Sequence, residues 1–137
     1  MYKEKKFETI SNLLDDNKKN DAQVKLSELR NEFSLHPEYL YLMSRYLRLD
    51  NRLYQSIDTL ILSIKIDYDL NFLQKKKYKK STETLLKKKF DMLISGYKLI
   101  GNTEMEKVIF QYLEPNKHLE FLEYINKTMP GINIKKK

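Results

Sequence analysis

The chain has 137 residues, of which 41% are hydrophobic and 33% are charged. This length suits one domain, and this composition is typical of a folded protein rather than a disordered one. Cysteine is absent, which excludes disulfides, a thiol nucleophile and thiolate metal sites. With only three glycines and three prolines, a turn-rich β-sandwich or barrel is not expected.

The positive charge is concentrated in one part of the chain. The net charge is +7, yet residues 1–68 contain 11 basic and 11 acidic residues, against 15 and 8 in residues 69–137. Eight lysines accompany a single acidic residue in one stretch: Lys75, Lys76, Lys77, Lys79, Lys80, Lys87, Lys88 and Lys89. Such a stretch is either a solvated surface without a specific role or a docking patch for an acidic partner, a phosphate backbone or an anionic membrane.

Four amphipathic helices are predicted in the first half, because apolar residues recur there at steps of three and four. The first covers about residues 3–15 and ends at a polar turn in which Asn17 can adopt a left-handed conformation. Asp21 is predicted to cap the second helix, and Pro37 fits the first turn of the third. Asp50 and Asn51 close the third helix, and the fourth follows over about 53–64.

Further helices are predicted in the second half, although the amphipathic pattern is weaker where that half begins. Residues 70–80 are only weakly amphipathic. Ser81 or Thr82 is predicted to cap a strong helix that ends at Gly101. Another helix runs to about Leu113, a last one covers about 119–125, and residues 129–137 form a basic tail. No alternating strand pattern of useful length is present, so the prediction is an all-α protein with about seven or eight helices.

Several positions recur at an interval of 34 residues: Leu13 and Leu47, Asn17 and Asn51, Ala22 and Ser56, Leu26 and Leu60. Leu40-x2-Met43-Ser44-x2-Leu47 resembles the W-x2-L-G-x2-Y pattern of the tetratricopeptide repeat, a helix–turn–helix unit of 34 residues. Ser56-x3-Leu60 is similar to the A-x3-F of that family. Small side chains at Ser44, Ser56 and Ser63 would allow two antiparallel helices to approach closely.

This resemblance implies a short α-solenoid of antiparallel helix pairs, with about 2.5 to 3 repeats and a C-terminal capping helix. It implies one domain over residues 1–128 with a lysine-rich insertion at about 69–84. A third unit then starts at Phe90, 50 residues after the second, with Gly101 at its turn and Phe110 in its second helix. Tyr68 stands where the family has a closing proline. The alternative is an ordinary helical bundle.

In such a solenoid the first helix of each pair lines a groove. On the second unit this stripe consists of Glu38, Tyr41, Arg45 and Arg48. Tyr41 between two arginines would suit an acidic or C-terminal peptide, through charge-assisted hydrogen bonds and stacking. The alternative is that Arg45 and Arg48 pair with Glu38 or Asp50 on the helix surface.

The sequence contains no arrangement of residues typical of an active site. His36 and His118 are its only histidines, and they are far apart in the chain. There is no Gly-rich phosphate loop, zinc-binding helix or nucleophile elbow. We therefore expect no enzyme, no cofactor and no metal site. We expect an intracellular, non-secreted interaction or scaffold module without a transmembrane span, binding a protein partner. The alternative is a nucleic-acid-associated accessory protein that uses Lys75–Lys89. Self-association is a third hypothesis, because so few repeats leave an apolar end uncovered.

Overall fold

Six α-helices make up the larger part of the structure, a computed structural model that describes residues 4–67, 80–112, 117, 120, 121, 123, 124 and 127. They are α1 (Lys5–Asp15), α2 (Lys19–Phe33), α3 (Pro37–Leu49), α4 (Leu53–Asp67), α5 (Lys80–Leu99) and α6 (Thr103–Phe110). No strand occurs among the described residues. The predicted all-α class is confirmed. The basic tail lies outside the described residues, and the predicted last helix is described only in part.

The three turns that join α1 to α2, α3 to α4 and α5 to α6 have the same backbone geometry. Each contains one residue with positive φ: Asn17 at 60°, Asn51 at 61° and Gly101 at 77°. The next amide then donates to the carbonyl five residues earlier, in Lys18–Leu13 (2.8 Å), Arg52–Leu47 (2.9 Å) and Asn102–Tyr97 (2.9 Å). This is the Schellman motif, which ends a helix by satisfying its last carbonyls. All three predicted turn residues therefore have the predicted role.

The helix starts agree with the sequence at α3 and differ at α2 and α5. Pro37 opens α3, and His36 precedes it and accepts a hydrogen bond from the Glu38 amide through Nδ1 (3.1 Å). The prediction that Asp21 caps α2 is wrong, because the left-handed turn leads into a helix that already begins at Lys19. The described part of α5 is already helical at Lys80, before the predicted caps at Ser81 or Thr82. The end of the predicted insertion is therefore helical and makes α5 longer than α1 or α3.

Serines form the contact between α3 and α4. Ser44 and Ser56 are buried, and each hydroxyl donates to the carbonyl oxygen of the other residue at 2.7 and 2.8 Å. Ser63, also buried, donates to the carbonyl oxygen of Pro37 at 2.6 Å. The small side chains permit the close approach that the sequence predicted, and their hydroxyls additionally find partners, which buried polar groups require.

Two hydrophobic clusters share α3 between them. The first joins α1, α2 and one side of α3, with Phe7, Ile10, Ala22, Leu26, Leu42 and Leu47 among its members. The second joins α4, α5 and α6 to Tyr41 of α3, with Ile57, Leu60, Ile61, Leu86, Phe90, Leu93 and Ile109 among its members. Because α3 also packs along α1, α2 and α4, it is the central helix of the described structure.

The third helix pair differs from the first two in the face that its second helix buries. Leu26 of α2 and Leu60 of α4 are fully buried, and the predicted equivalent in α6 is Phe110. Phe110 is instead 67% exposed, and Ile109 is fully buried. Glu106 occupies the position of Ala22 and Ser56, and a carboxylate cannot enter a tight apolar crossing without a large desolvation cost. α6 therefore presents a neighbouring face to α5.

Not one helix within the described ranges combines the length and the apolar character needed to cross a membrane.

Candidate functional site

A cleft of about 280 Å³ opens where α1, α3 and α5 meet. Leu14 of α1 and Met92 of α5 line it from the sides, and α3 contributes Tyr41, Arg45, Arg48 and Leu49. Three of the four side chains that the sequence placed on a groove stripe thus line one cleft. Its apolar and cationic lining suits a ligand that carries both apolar and anionic groups.

Arg45 ties α3 to α1. Its Nη1 donates to Ser11 Oγ at 2.7 Å, and its Nη2 donates to Asp15 Oδ1 at 2.5 Å. Its guanidinium carbon lies 5.9 Å from the centre of the Tyr41 ring, within cation–π range. Ser11 precedes Arg45 by 34 residues, so these two side chains occupy the same position in successive helix pairs. The repeat interval is therefore the sequence signal that points to this contact.

Arg48 ties α3 to α5 through neutral partners. Its Nη1 donates to Ser95 Oγ at 2.7 Å, and its Nη2 donates to the Met92 carbonyl oxygen at 2.6 Å. A Cβ on Gly96 would lie only 2.8 Å from Nη2, so the absence of a side chain at residue 96 allows this approach. Arg48 Nε is buried and has no hydrogen-bond partner among the described residues, and burial lowers the pKa of this guanidinium. Within the described part of the chain, Arg48 is thus a half-buried cation whose hydrogen-bond acceptors are neutral.

The alternative pairing of these arginines on the helix surface is wrong. Arg45 and Arg48 make their hydrogen bonds to α1 and α5, and neither pairs with Glu38 or Asp50. The Asp50 carboxylate instead pairs with Lys19 at 3.1 Å and with Arg52 at 2.9 Å. Its pKa is lowered, chiefly by the hydrogen bond from Lys19.

Glu38 does not line the cleft, contrary to the prediction. It is only 9% exposed, in the first turn of α3. Its negative charge acts on the buried Lys89 ammonium and favours the charged form of that group. Because Pro37 and the α3–α4 seam hold this end of α3 inside the fold, Glu38 belongs to the interior.

Lys89 was also predicted as a site residue, in the basic docking patch, and that prediction is wrong. Its side chain is fully buried and its Nζ lies 3.0 Å from Asp67 Oδ2 and 5.9 Å from the centre of the Tyr41 ring. Burial lowers the pKa of Lys89, and the Asp67 carboxylate opposes that shift. Lys89 lies on the α5 face that carries the buried Leu86, Phe90 and Leu93, so it does not belong to a solvent-exposed docking patch.

The other lysines of the predicted patch are divided between two parts of the chain. Lys87 and Lys88 are exposed on α5, and Lys80 is the first described residue of that helix. Lys75, Lys76, Lys77 and Lys79 lie outside the described residues. The sequence analysis did not assign Ser11, Asp15, Leu14, Leu49 or Met92 to a site, because their role depends on how α1 and α5 lie against α3.

No group of His, Asp and Glu side chains in the described ranges is arranged to hold a metal ion. His36 lies between aromatic rings, with centroids 5.1 Å from Phe7 and 5.7 Å from Phe33, in addition to its capping hydrogen bond. In comparisons with known proteins, no family model, no curated protein and no solved structure matches this sequence.

Proposed function

We propose that this protein is a non-catalytic interaction module, a short tetratricopeptide-like α-solenoid that holds a segment of a partner protein in the cleft between α1, α3 and α5. One observation carries the proposal: Tyr41, Arg45 and Arg48 lie together around a cleft of about 280 Å³. Ligand pockets in proteins usually enclose about 300–1,000 Å³, so this cleft has room for only a small part of a bound segment. A scaffold role within a larger assembly is consistent with this proposal.

The repeated geometry of the helix pairs supports the solenoid part of the proposal. The turns at Asn17 and Asn51 are 34 residues apart and have matching φ angles and hydrogen bonds. α3 packs against both helices of the preceding pair, and α5 packs against α4 of the preceding pair. Stacked pairs place their first helices side by side, and these helices are the ones that line the cleft.

The test is site-specific cross-linking in cells of the native source. A photo-reactive phenylalanine analogue replaces Leu49, which lines the cleft and is 40% exposed. The matched control carries the same analogue at Val24, which is 56% exposed on α2. We expect one or a few proteins to cross-link at residue 49 and not at residue 24. Cross-linking that does not distinguish the two positions would contradict the proposed cleft.

The same experiment separates two further candidates. Exposure of Lys87 and Lys88 on α5 favours nucleic-acid association as a second proposal, because lysines on one helix can neutralise phosphates. Under that proposal nuclease treatment digests the captured material, and non-covalent binding of nucleic acid by the purified protein weakens steeply as salt increases. A cross-link between two copies of the chain at residue 49 would instead support self-association.

A further inference from the structure

The two arginines of the cleft differ in the charge of their partners. Arg45 donates to a carboxylate, that of Asp15, whereas both hydrogen-bond acceptors of Arg48 are neutral. A fully buried guanidinium is almost always paired, and around a half-buried one neutral dipoles replace the lost hydration only in part. Its planar fork matches the two oxygens of a carboxylate. Arg48 thus faces the cleft as a cation without an anionic partner among the described residues.

The Asp15 carboxylate is the anionic partner of Arg45, and it belongs to the protein itself. The Asp15 side chain is 64% exposed and lies at the end of α1, whereas the Arg45 side chain is 19% exposed. An ion pair with one exposed partner contributes little stability, because water and salt screen the exposed charge. The Asp15 carboxylate is therefore readily displaced from Arg45 by another carboxylate that enters the cleft.

The apolar residues of the cleft constrain the ligand further. Leu49 is 40% exposed, and Met92 is partly buried between α3 and α5. With Leu14 they form an apolar surface beside the two guanidinium groups. A matching segment carries a Leu-, Ile- or Met-like side chain close to its acidic residue.

We infer that the cleft binds an acidic, partly apolar segment of a partner protein, with a carboxylate on Arg48 and with Asp15 as a built-in competitor for Arg45. This inference rests on the proposed function and adds the chemistry of the bound segment. Two substitutions should therefore change the binding affinity in opposite directions. Removal of the Arg48 charge weakens binding of the acidic segment, and removal of the Asp15 charge strengthens it.

The first experiment is selection from random peptides displayed by fusion of their C-termini to a phage coat protein, so that no free C-terminal carboxylate is available. We expect wild-type protein to select peptides with Asp or Glu next to Leu, Ile or Met. Arg48→Gln protein should not enrich acidic residues, and its helix content and melting temperature are checked by circular dichroism. If wild-type protein selects peptides without acidic enrichment, the inference is overturned, while cleft-specific cross-linking at residue 49 would still support the interaction module.

The second experiment measures affinities of a selected peptide, synthesised with both ends capped, by fluorescence polarisation. Arg48→Gln should lower affinity about tenfold, the effect of losing one charge-assisted hydrogen bond. Asp15→Asn should raise it about threefold by freeing Arg45 and removing repulsion. Lys107→Gln is the matched control, because Lys107 is exposed on α6 and its loss changes the net charge by one unit away from the cleft.

The Asp15→Asn variant decides the inference even if Arg48→Gln does not fold, because Asp15 lies at the surface. A peptide with Gln in place of Glu should bind wild-type and Asp15→Asn protein equally well. Its binding should also no longer depend on salt. If Asp15→Asn binds the acidic peptide no more tightly than wild-type protein, Asp15 is not a competitor. If the Glu→Gln peptide binds as tightly as the acidic one, the cleft does not recognise a carboxylate.

Discussion

The hydroxyl groups of two buried tyrosines differ in their hydrogen bonding. The Tyr39 hydroxyl donates to the Leu26 carbonyl oxygen at 2.9 Å, which joins α3 to α2. The Tyr97 hydroxyl is buried and has no hydrogen-bond partner in the part of the chain that the structure describes, and burial is the main reason that its pKa is raised. A buried hydroxyl without a partner costs free energy, whereas one with a partner contributes modestly to stability.

Substitution of each tyrosine by phenylalanine should therefore change stability in opposite directions. Tyr97→Phe removes an unsatisfied group and should raise the free energy of unfolding by about 1 kcal/mol. Tyr39→Phe removes a satisfied hydroxyl and should lower it by about 1 kcal/mol. Urea denaturation followed by circular dichroism measures both. A loss of stability in Tyr97→Phe would mean that the Tyr97 hydroxyl finds a partner, such as a buried water molecule.

Adjacent lysines show how far single residues can be predicted from sequence. Lys87, Lys88 and Lys89 are consecutive, yet the first two are exposed and Lys89 is fully buried against Asp67. Residue type and local charge density are the same for all three. The helical period does place Lys89 between Leu86 and Phe90 on the apolar face. The positions of Asp67 and Glu38 in space make burial of that ammonium group tolerable.

At the level of elements, the three helix pairs depend on turn residues that can adopt positive φ. Gly101 has φ of +77° and open space around its Cα, so an added Cβ would meet no neighbouring atom. The cost of a side chain there is therefore conformational alone. Asn51 has φ of 61° and tolerates it because asparagine is among the residues that enter the left-handed region most easily.

Alanine at these turns should destabilise the protein, and glycine should not. Gly101→Ala and Asn51→Ala should each lower the free energy of unfolding by about 1–2 kcal/mol, the cost of placing an ordinary side chain in the left-handed region. Asn51→Gly is the matched control and should change it by less than about 0.5 kcal/mol. Thermal and urea melts measure these differences. Equal losses in Asn51→Ala and Asn51→Gly would show that the Asn51 side chain, rather than φ, stabilises the turn.

The elements also differ in how well the sequence predicted them. Helices and turns followed local signals: apolar periodicity, Pro37 at a helix start, and Asn or Gly where a helix ends. Local signals did not determine which face of α6 packs against α5. Phe110 and Ile109 are neighbours, and either could have faced α5. That choice depends on how α6 packs against α5, which is a property of two elements together.

Across the whole molecule, a small ion cluster links the first helix pair to the second. Lys19 at the start of α2 and Arg52 just before α4 both pair with Asp50, which follows α3. The hydrogen bond from Lys19 lowers the pKa of Asp50 in the folded protein. A lowered carboxyl pKa adds stability above the pKa of the unfolded chain, and that stability is lost as pH falls through the folded-state pKa.

Asp50→Asn should therefore be less stable than wild-type protein near neutral pH, and the difference should shrink as pH falls below about 4. Thermal melts across acidic pH values measure it. Asp16→Asn is the matched control. Asp16 follows α1 as Asp50 follows α3, and its side chain is exposed. The proposed link between the helix pairs would be refuted by an Asp50→Asn deficit that persists at acid pH, or by one that Asp16→Asn reproduces.

The sequence by itself determined the class of fold, the position of the turns and the 34-residue interval, because each depends on backbone preferences and on spacing within a short stretch of chain. It also selected Tyr41, Arg45 and Arg48 as a stripe on one helix. The tertiary structure decided that these residues border a cleft, that Arg45 meets a carboxylate and Arg48 does not, and that Glu38 and Lys89 are inside. The physical reason is that burial and charge pairing depend on atoms from helices far apart in the chain, and only the packed fold brings those atoms into contact.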